Sequence, residues 1–253
     1  MSGFDFGNSE LTSPFDSVAF SVGGGYIESF LNFNNLAVSN SLTSLTYYGG
    51  TVAGSTTYMN RGFFVDALLK ADFLTLDIGG IPGGFCTGGG FATCGRSVKS
   101  TTWGVVGNVG YRVEYGRYFF EPLGSISWNR NSIGDLNLPG AAVVVQFGDV
   151  KDLDAGGGFR AGGVIMDGKF HYIEASLTNR IWDRVSGNNP VNFVNLGPTF
   201  TLTDAFQKVY GESAIQLDWI NRLWGWSAFA KMDAKYNTQF LTYTGKLGAR
   251  YEF

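Results

Sequence analysis

The sequence holds no run of about 20 continuous apolar residues, so no transmembrane helix can be drawn from it. Were the chain to cross a membrane, it would have to do so as a closed β-barrel. It has no basic excess either: a net charge of -3 and an isoelectric point near 5.2 leave no electrostatic footprint for nucleic acid. The opening Met1-Ser2-Gly3-Phe4-Asp5-Phe6 lacks a positive n-region and an apolar h-region, so no secretory signal is visible. For an exported protein, this leads to the expectation that the chain begins inside a longer precursor, or that its start is set too late. Metal-binding side chains are scarce, with His171, Cys86 and Cys94 the only histidine and cysteines.

What is present is glycine, aromatic residues and alternation. Charged residues make up 15% and aromatics 16%, a combination that suits strands with one apolar face better than a buried helix. The 37 glycines fit turns and tightly packed strands and argue against helices. At 253 residues an all-β barrel is one domain.

The strongest stretch is the last. From Leu241 onward, Leu241, Tyr243, Gly245, Leu247, Ala249, Tyr251 and Phe253 fall on one face, and Thr242, Thr244, Lys246, Gly248, Arg250 and Glu252 on the other. A soluble sandwich can present such alternation, but its terminus is normally frayed and polar. In a membrane-spanning strand one face meets lipid and the other a polar lumen, and aromatics gather where hydrocarbon meets headgroup. Tyr251 and Phe253 would then mark the periplasmic girdle.

Upstream, residues 1–16 read as an irregular lead-in with Asn8, Ser9, Ser13 and Pro14 as breakers, and residues 17–253 as the barrel domain. Ten strands are legible, centred near residues 23, 52, 68, 109, 123, 162, 176, 214, 230 and 247. Lipid-facing positions include Trp103, Phe120, Ile126, Leu217, Trp226 and Leu247. Turns near residues 60, 116, 168 and 223 are short; connections near 36, 88, 140 and 195 are long, and the two kinds alternate. Outer-membrane barrels place short turns in the periplasm and long loops outside. The fold expected is therefore an all-β, transmembrane, antiparallel up-and-down meander with a periplasmic N-terminus.

Several segments resemble the translocator barrel of autotransporters, the type V secretion family of Gram-negative outer membranes. They are Arg61-Gly62-Phe63-Phe64-Val65-Asp66-Ala67-Leu68-Leu69, Gly110-Tyr111-Arg112-Val113-Glu114, Tyr118-Phe119-Phe120-Glu121-Pro122, Phe159-Arg160-Ala161-Gly162 and Leu247-Gly248-Ala249-Arg250-Tyr251-Glu252-Phe253. The resemblance implies a barrel, integral to the outer membrane, that assists export or anchoring of an N-terminal passenger not present in this chain. Its other partners would be outer-membrane lipid, lipopolysaccharide and the barrel-assembly machinery. Lys246, Gly248, Tyr251 and Phe253 resemble the C-terminal signal which that machinery reads. The family barrel has twelve strands against the ten legible here, with a passenger and a lumen helix ahead of them.

No chemistry of a catalytic kind emerges. The inward charges Asp66, Lys70, Arg112, Glu114, Glu121, Arg160, Glu174, Arg180, Glu212, Asp218, Lys246 and Arg250 include neither a nucleophile with a base nor a nucleotide loop. They fit a polar lumen braced by paired charges, with Arg112, Glu121, Arg160 and Arg250 the residues a translocating chain or plug would touch. Gly23-Gly24-Gly25 and Gly156-Gly157-Gly158 precede no helix, so they cradle no phosphate. Cys86 and Cys94 lie in one Gly-rich loop and are expected to form a disulfide. Metal binding is disfavoured because His171 lies beside the opposite turn. No cofactor is implied. A stand-alone porin or adhesin, or a ten-stranded outer-membrane hydrolase, are the alternative functions.

Overall fold

The structure is a computed structural model that describes residues 2–9, 15–34, 42–81, 94–138, 143–188, 190–195, 200–203, 208–238 and 241–251. Every regular element in it is a β-strand. They are β1 (Ser2–Ser9), β2 (Asp16–Asn34), β3 (Leu42–Asn60), β4 (Phe63–Ile81), β5 (Cys94–Tyr111), β6 (Val113–Tyr115), β7 (Tyr118–Ile133) and β8 (Leu136–Leu138). Then follow β9 (Val143–Phe147), β10 (Val150–Asp167), β11 (His171–Asn188), β12 (Pro190–Asn195), β13 (Phe200–Thr203), β14 (Val209–Asn221), β15 (Trp226–Tyr236) and β16 (Leu241–Tyr251).

One antiparallel 12-stranded sheet runs β1-β2-β3-β4-β5-β7-β10-β11-β14-β15-β16, with β6 continuing β5 past Arg112 and pairing with β7. Each strand on this path pairs with its neighbour along the chain, as in an up-and-down meander. The sheet curls until its two ends face each other across a cavity of about 940 Å³. Gly3, Ser21 and Ser55 line it from one end, and Glu174, Asp218 and Phe229 from the other. β1 and β16 are the outermost strands, and both run toward the end that carries the short turns. Antiparallel closure across that gap takes a strand running the opposite way.

Three expectations need correction. Residues 2–9 are not irregular: Ser2–Ser9 pairs along its whole length with Ser17–Gly24, so the path holds eleven strands where ten are legible. The alternation of Phe4 and Phe6 with small residues is too short to stand out without its neighbour. For the same reason the first strand does not rise from the short-turn end: β1 runs toward that end, from Ser2 beside Gly24, midway along β2, to Ser9 beside Ser17. Several strands also run to 18 or 19 residues, well past the limits set by apolar alternation. Residues 130–133 and 184–188, beside the long connections near 140 and 195, are hydrogen-bonded parts of β7 and β11.

One two-residue turn explains itself locally. Arg61 and Gly62 both adopt positive φ, 48° and 89°, the combination a two-residue hairpin needs to match the twist of its strands. Glycine also serves inside the sheet. A Cβ on Gly248 would run into the Phe229 ring, and one on Gly162 into Phe119, so glycine seats a neighbouring aromatic flat on the wall.

Candidate functional site: the inner wall

Along β7 the burial alternates in the sense opposite to that of a soluble protein. Phe120 and Ile126 are about half exposed, while Phe119, Ser125 and the carboxylate of Glu121, only 1% exposed, are buried. The remaining strands repeat this. Trp103, Leu217, Trp226 and Met232 point outward, Leu247 at 85% exposure; Asp72, Asp154, Ser176 and Glu212 are buried on the other side. A long tract of ionised side chains is stable there only because each has partners.

At the short-turn end those partners form one network. Arg160 lies directly across from Glu121 in the β10–β7 register, with Nε 2.6 Å from Oε2, and its Nη2 donates to Oε1 at 2.8 Å. Arg112 sits at the break between β5 and β6 and reaches three carboxylates, donating to Glu114 (3.1 Å), Glu121 (3.4 Å) and Glu174 (3.3 Å). Tyr172 donates its hydroxyl to Glu174 at 2.8 Å. Beneath both arginines lies the Phe119 ring, 3.8 Å from the Arg112 guanidinium carbon and 5.5 Å from that of Arg160, a stack that lets the cations rest on an apolar floor.

Farther along the wall a second network joins β10, β11 and β14. Arg184 donates from Nε to Asp154 (3.1 Å) and pairs with Asp152 (3.4 Å), and the Tyr210 hydroxyl donates to Asp154 at 3.2 Å. Trp182 donates its indole N–H to Glu212 at 2.7 Å, and Arg180 pairs with the same carboxylate at 3.6 Å. Lys70 pairs with Asp72 (3.0 Å) and Lys246 with Asp233 (3.8 Å).

Toward the long-connection end the wall changes character. Leu76 of β4 and Val98 of β5, both on the inner face, pack with Leu136 of β8 and Val145 of β9. β8 and β9, from the connection between β7 and β10, pair into a four-stranded sheet, β13-β12-β9-β8, with two strands from the connection between β11 and β14. This cap holds the hydrophobic core of the described residues. Its pairing was hidden in the sequence because the two connections lie more than forty residues apart.

Of the residues singled out from the sequence, Arg112, Glu121 and Arg160 meet in one cluster. Arg250 lies on β16 opposite Ser227, elsewhere in the sheet. Lys246 faces Lys231 across the β15–β16 register, Gly248 lies under Phe229, and Tyr251 packs on Trp226 with ring centroids 5.1 Å apart. Phe253 and Cys86 lie outside the described residues; Cys94 opens β5. Sequence reasoning missed Phe119, Tyr172, Asp152, Asp154, Arg184 and Tyr210. The alternation Asp152, Asp154, Gly156, Gly158, Arg160 was the available signal. Among the described residues no group of three His, Cys, Asp or Glu side chains could hold a metal ion. His171 instead stacks on Trp219, with centroids 6.0 Å apart.

Residues 3–233 match the family described as the autotransporter β-domain. No curated protein matches the chain. Among solved structures, the transport unit of the autotransporter AIDA-I from Escherichia coli superposes with a TM-score of 0.74 at 14% identity, covering 99% of this chain and 80% of that one. The β-domain of the Bordetella autotransporter BrkA gives a TM-score of 0.57 at 16% identity, covering 93% and 92%. At these identities the likeness is one of fold.

Proposed function

Since the chain belongs to the autotransporter β-domain family, a family of non-enzymatic outer-membrane translocator barrels, we propose that its inner wall serves a passenger polypeptide attached N-terminal to it. The observation that carries this is the inverted burial: paired charge and hydroxyl inside, Trp, Ile and Leu outside. A wall of that kind holds water and slides past a polar chain, and its outer face is at rest only in lipid. The short turns at residues 61–62 and 116–117 would lie in the periplasm and the β8–β9–β12–β13 cap at the cell surface.

Two parts of this reading concern particular residues. Lys246, Gly248, Tyr251 and Phe253 act as the signal for the barrel-assembly machinery, supported by the exposure of the β16 edge at the end of the sheet. Cys86 and Cys94 close a surface loop as a disulfide between β4 and β5, a short bridge in an oxidising compartment.

The test is display. A signal peptide and an epitope-tagged passenger are fused ahead of residue 1 and expressed in a Gram-negative host. The passenger is expected at the surface, degraded by protease added to whole cells. A chain that inserts, shown by altered gel mobility without heating, yet leaves the passenger in the periplasm would overturn the translocator reading in favour of a stand-alone barrel.

A further inference from the structure

Among the described strands, the outer face also carries positive charge, on β5, β7 and β10. On β5 the outward residues run Trp103, Thr101, Lys99; on β7 they run Ile126, Trp128, Arg130, Ser132; on β10, read backward, Ala155, Leu153, Lys151. These are three neighbouring strands, and the register is uninterrupted. Trp103 pairs with Arg130 and Arg130 with Lys151, while Lys99 lies farther up beside Gly134, whose N–H it accepts at 2.8 Å. Each cation therefore stands just past the last large apolar side chain of its strand, on the face that meets lipid. Asp77 on β4 and Asp183 on β11 flank the patch.

Most of these charges are unspent. Lys99 and Lys151 are exposed and make no ion pair among the described residues. Arg130 pairs with Asp149 through one guanidinium nitrogen, Nη2. Hydrogen bonds from Arg130 and Ser132 hold the Asp149 carboxyl below the usual carboxylate range, so this partner stays ionised and fixes the guanidinium in place. An Arg so fixed still presents further N–H donors.

We infer that Lys99, Arg130 and Lys151 form a binding site for the phosphate groups of the outer-leaflet glycolipid, lipopolysaccharide. The inference rests on the orientation proposed above, which puts the long-connection end at the cell surface. The tryptophans Trp103 and Trp128 sit where aromatic side chains border the headgroups, and the cations lie one step beyond, at phosphate depth. Cationic clusters at that depth recognise anionic lipid headgroups. Acyl chains would lie along Ile126, Leu153 and Trp128, making one continuous surface with the apolar band.

The experiment uses the full chain folded in detergent, with bound lipid counted by native mass spectrometry. Purified lipopolysaccharide, the same material dephosphorylated, and phosphatidylglycerol are compared on three proteins. These are the wild type, the triple variant Lys99→Gln/Arg130→Gln/Lys151→Gln, and a control, Lys231→Gln/Lys235→Gln, which removes cations from the inner wall. The expected result is retention of lipopolysaccharide by the wild type and the control, with a loss of roughly tenfold or more in the triple variant. Dephosphorylation should cause a similar loss. Equal binding by the wild type and the triple variant overturns the site. Equal retention of phosphatidylglycerol overturns the glycolipid assignment. If the triple variant does not reach the folded gel mobility, Lys151→Gln alone and the charge-keeping Arg130→Lys are read in its place. Lysine at 130 should retain more lipid than Gln at 151, and the reverse order sinks the idea. Because binding is measured on purified barrel, its failure is separate from a failure to display the passenger.

Discussion

The two ends of β4 obey opposite rules. From Phe63 to Phe73 the outward residues are apolar and the inward ones include Asp66, Lys70 and Asp72; from Leu74 to Ile78 the inward residues are Leu74, Leu76 and Ile78, and Thr75 and Asp77 point out. The partner strand β5 switches at the same level, with Val98 inward and Ser97 and Lys99 outward. No register slip marks the switch between Phe63 and Ile78. What changes is the surroundings. In the band the outer face meets hydrocarbon and the inner face water, whereas past it the outer face meets water and the inner face meets the cap.

Five substitutions, grouped into four tests, break or sharpen that contrast, and the largest effect belongs inside the band. Glu121→Ala removes the anion shared by Arg112 and Arg160 and leaves two cations stacked on Phe119 with fewer partners. Breaking a buried pair costs about 3–5 kcal/mol. Urea unfolding of the folded chain should show most of that loss, and a change below about 1 kcal/mol would deny the cluster its bracing role. Next, arginine is placed on the outer face at two levels. Ile126→Arg should destabilise the barrel in bilayers by about 2–4 kcal/mol, while Thr75→Arg should be nearly neutral. Similar costs at both sites would erase the distinction between the regions.

The third test concerns the cap. Leu76→Ala opens a cavity among Val98, Leu136 and Val145, and such truncations cost about 2–5 kcal/mol. Here the loss should be local, read as faster proteolysis within residues 134–149 with unchanged gel mobility of the unheated barrel. A barrel that unfolds with the cap would show the two regions to be one cooperative unit. The smallest effect is expected from Cys94→Ser. A loop of about 15 residues gains roughly 3 kcal/mol from closure, and the proposed bridge to Cys86 spans fewer. Mass before and after alkylation should find no free thiol in the exported wild type, and two reactive thiols there would refute the bridge.

The meander was legible because a period-two pattern with one apolar face survives in each strand taken alone: Phe63, Val65, Ala67 and Leu69 announce β4 without help. The ends of the strands were not. Above the band both faces carry mixed residues, as in Leu74-Thr75-Leu76-Asp77-Ile78, and the polarity that separated strand from loop has reversed. β1 was missed because eight residues rich in glycine carry too little contrast. The charge cluster was half legible. Arg112, Glu121 and Arg160 share the inward parity of their strands, but Phe119 as their floor and Arg184 with Asp154 as a second brace depend on which strands lie side by side.

By itself the sequence determined that the chain is β throughout, that one face of each strand is apolar, and that short and long connections alternate. These are properties of consecutive residues, set by the two-residue period of a strand and by turn chemistry. Only the tertiary structure decided which carboxylate each arginine serves, that two distant connections pair into a cap over Leu76 and Val98, and that Lys99, Arg130 and Lys151 form one outward patch. Each of these joins residues through register and curl across several strands, and a long-range pairing leaves no periodic mark in the segments that make it.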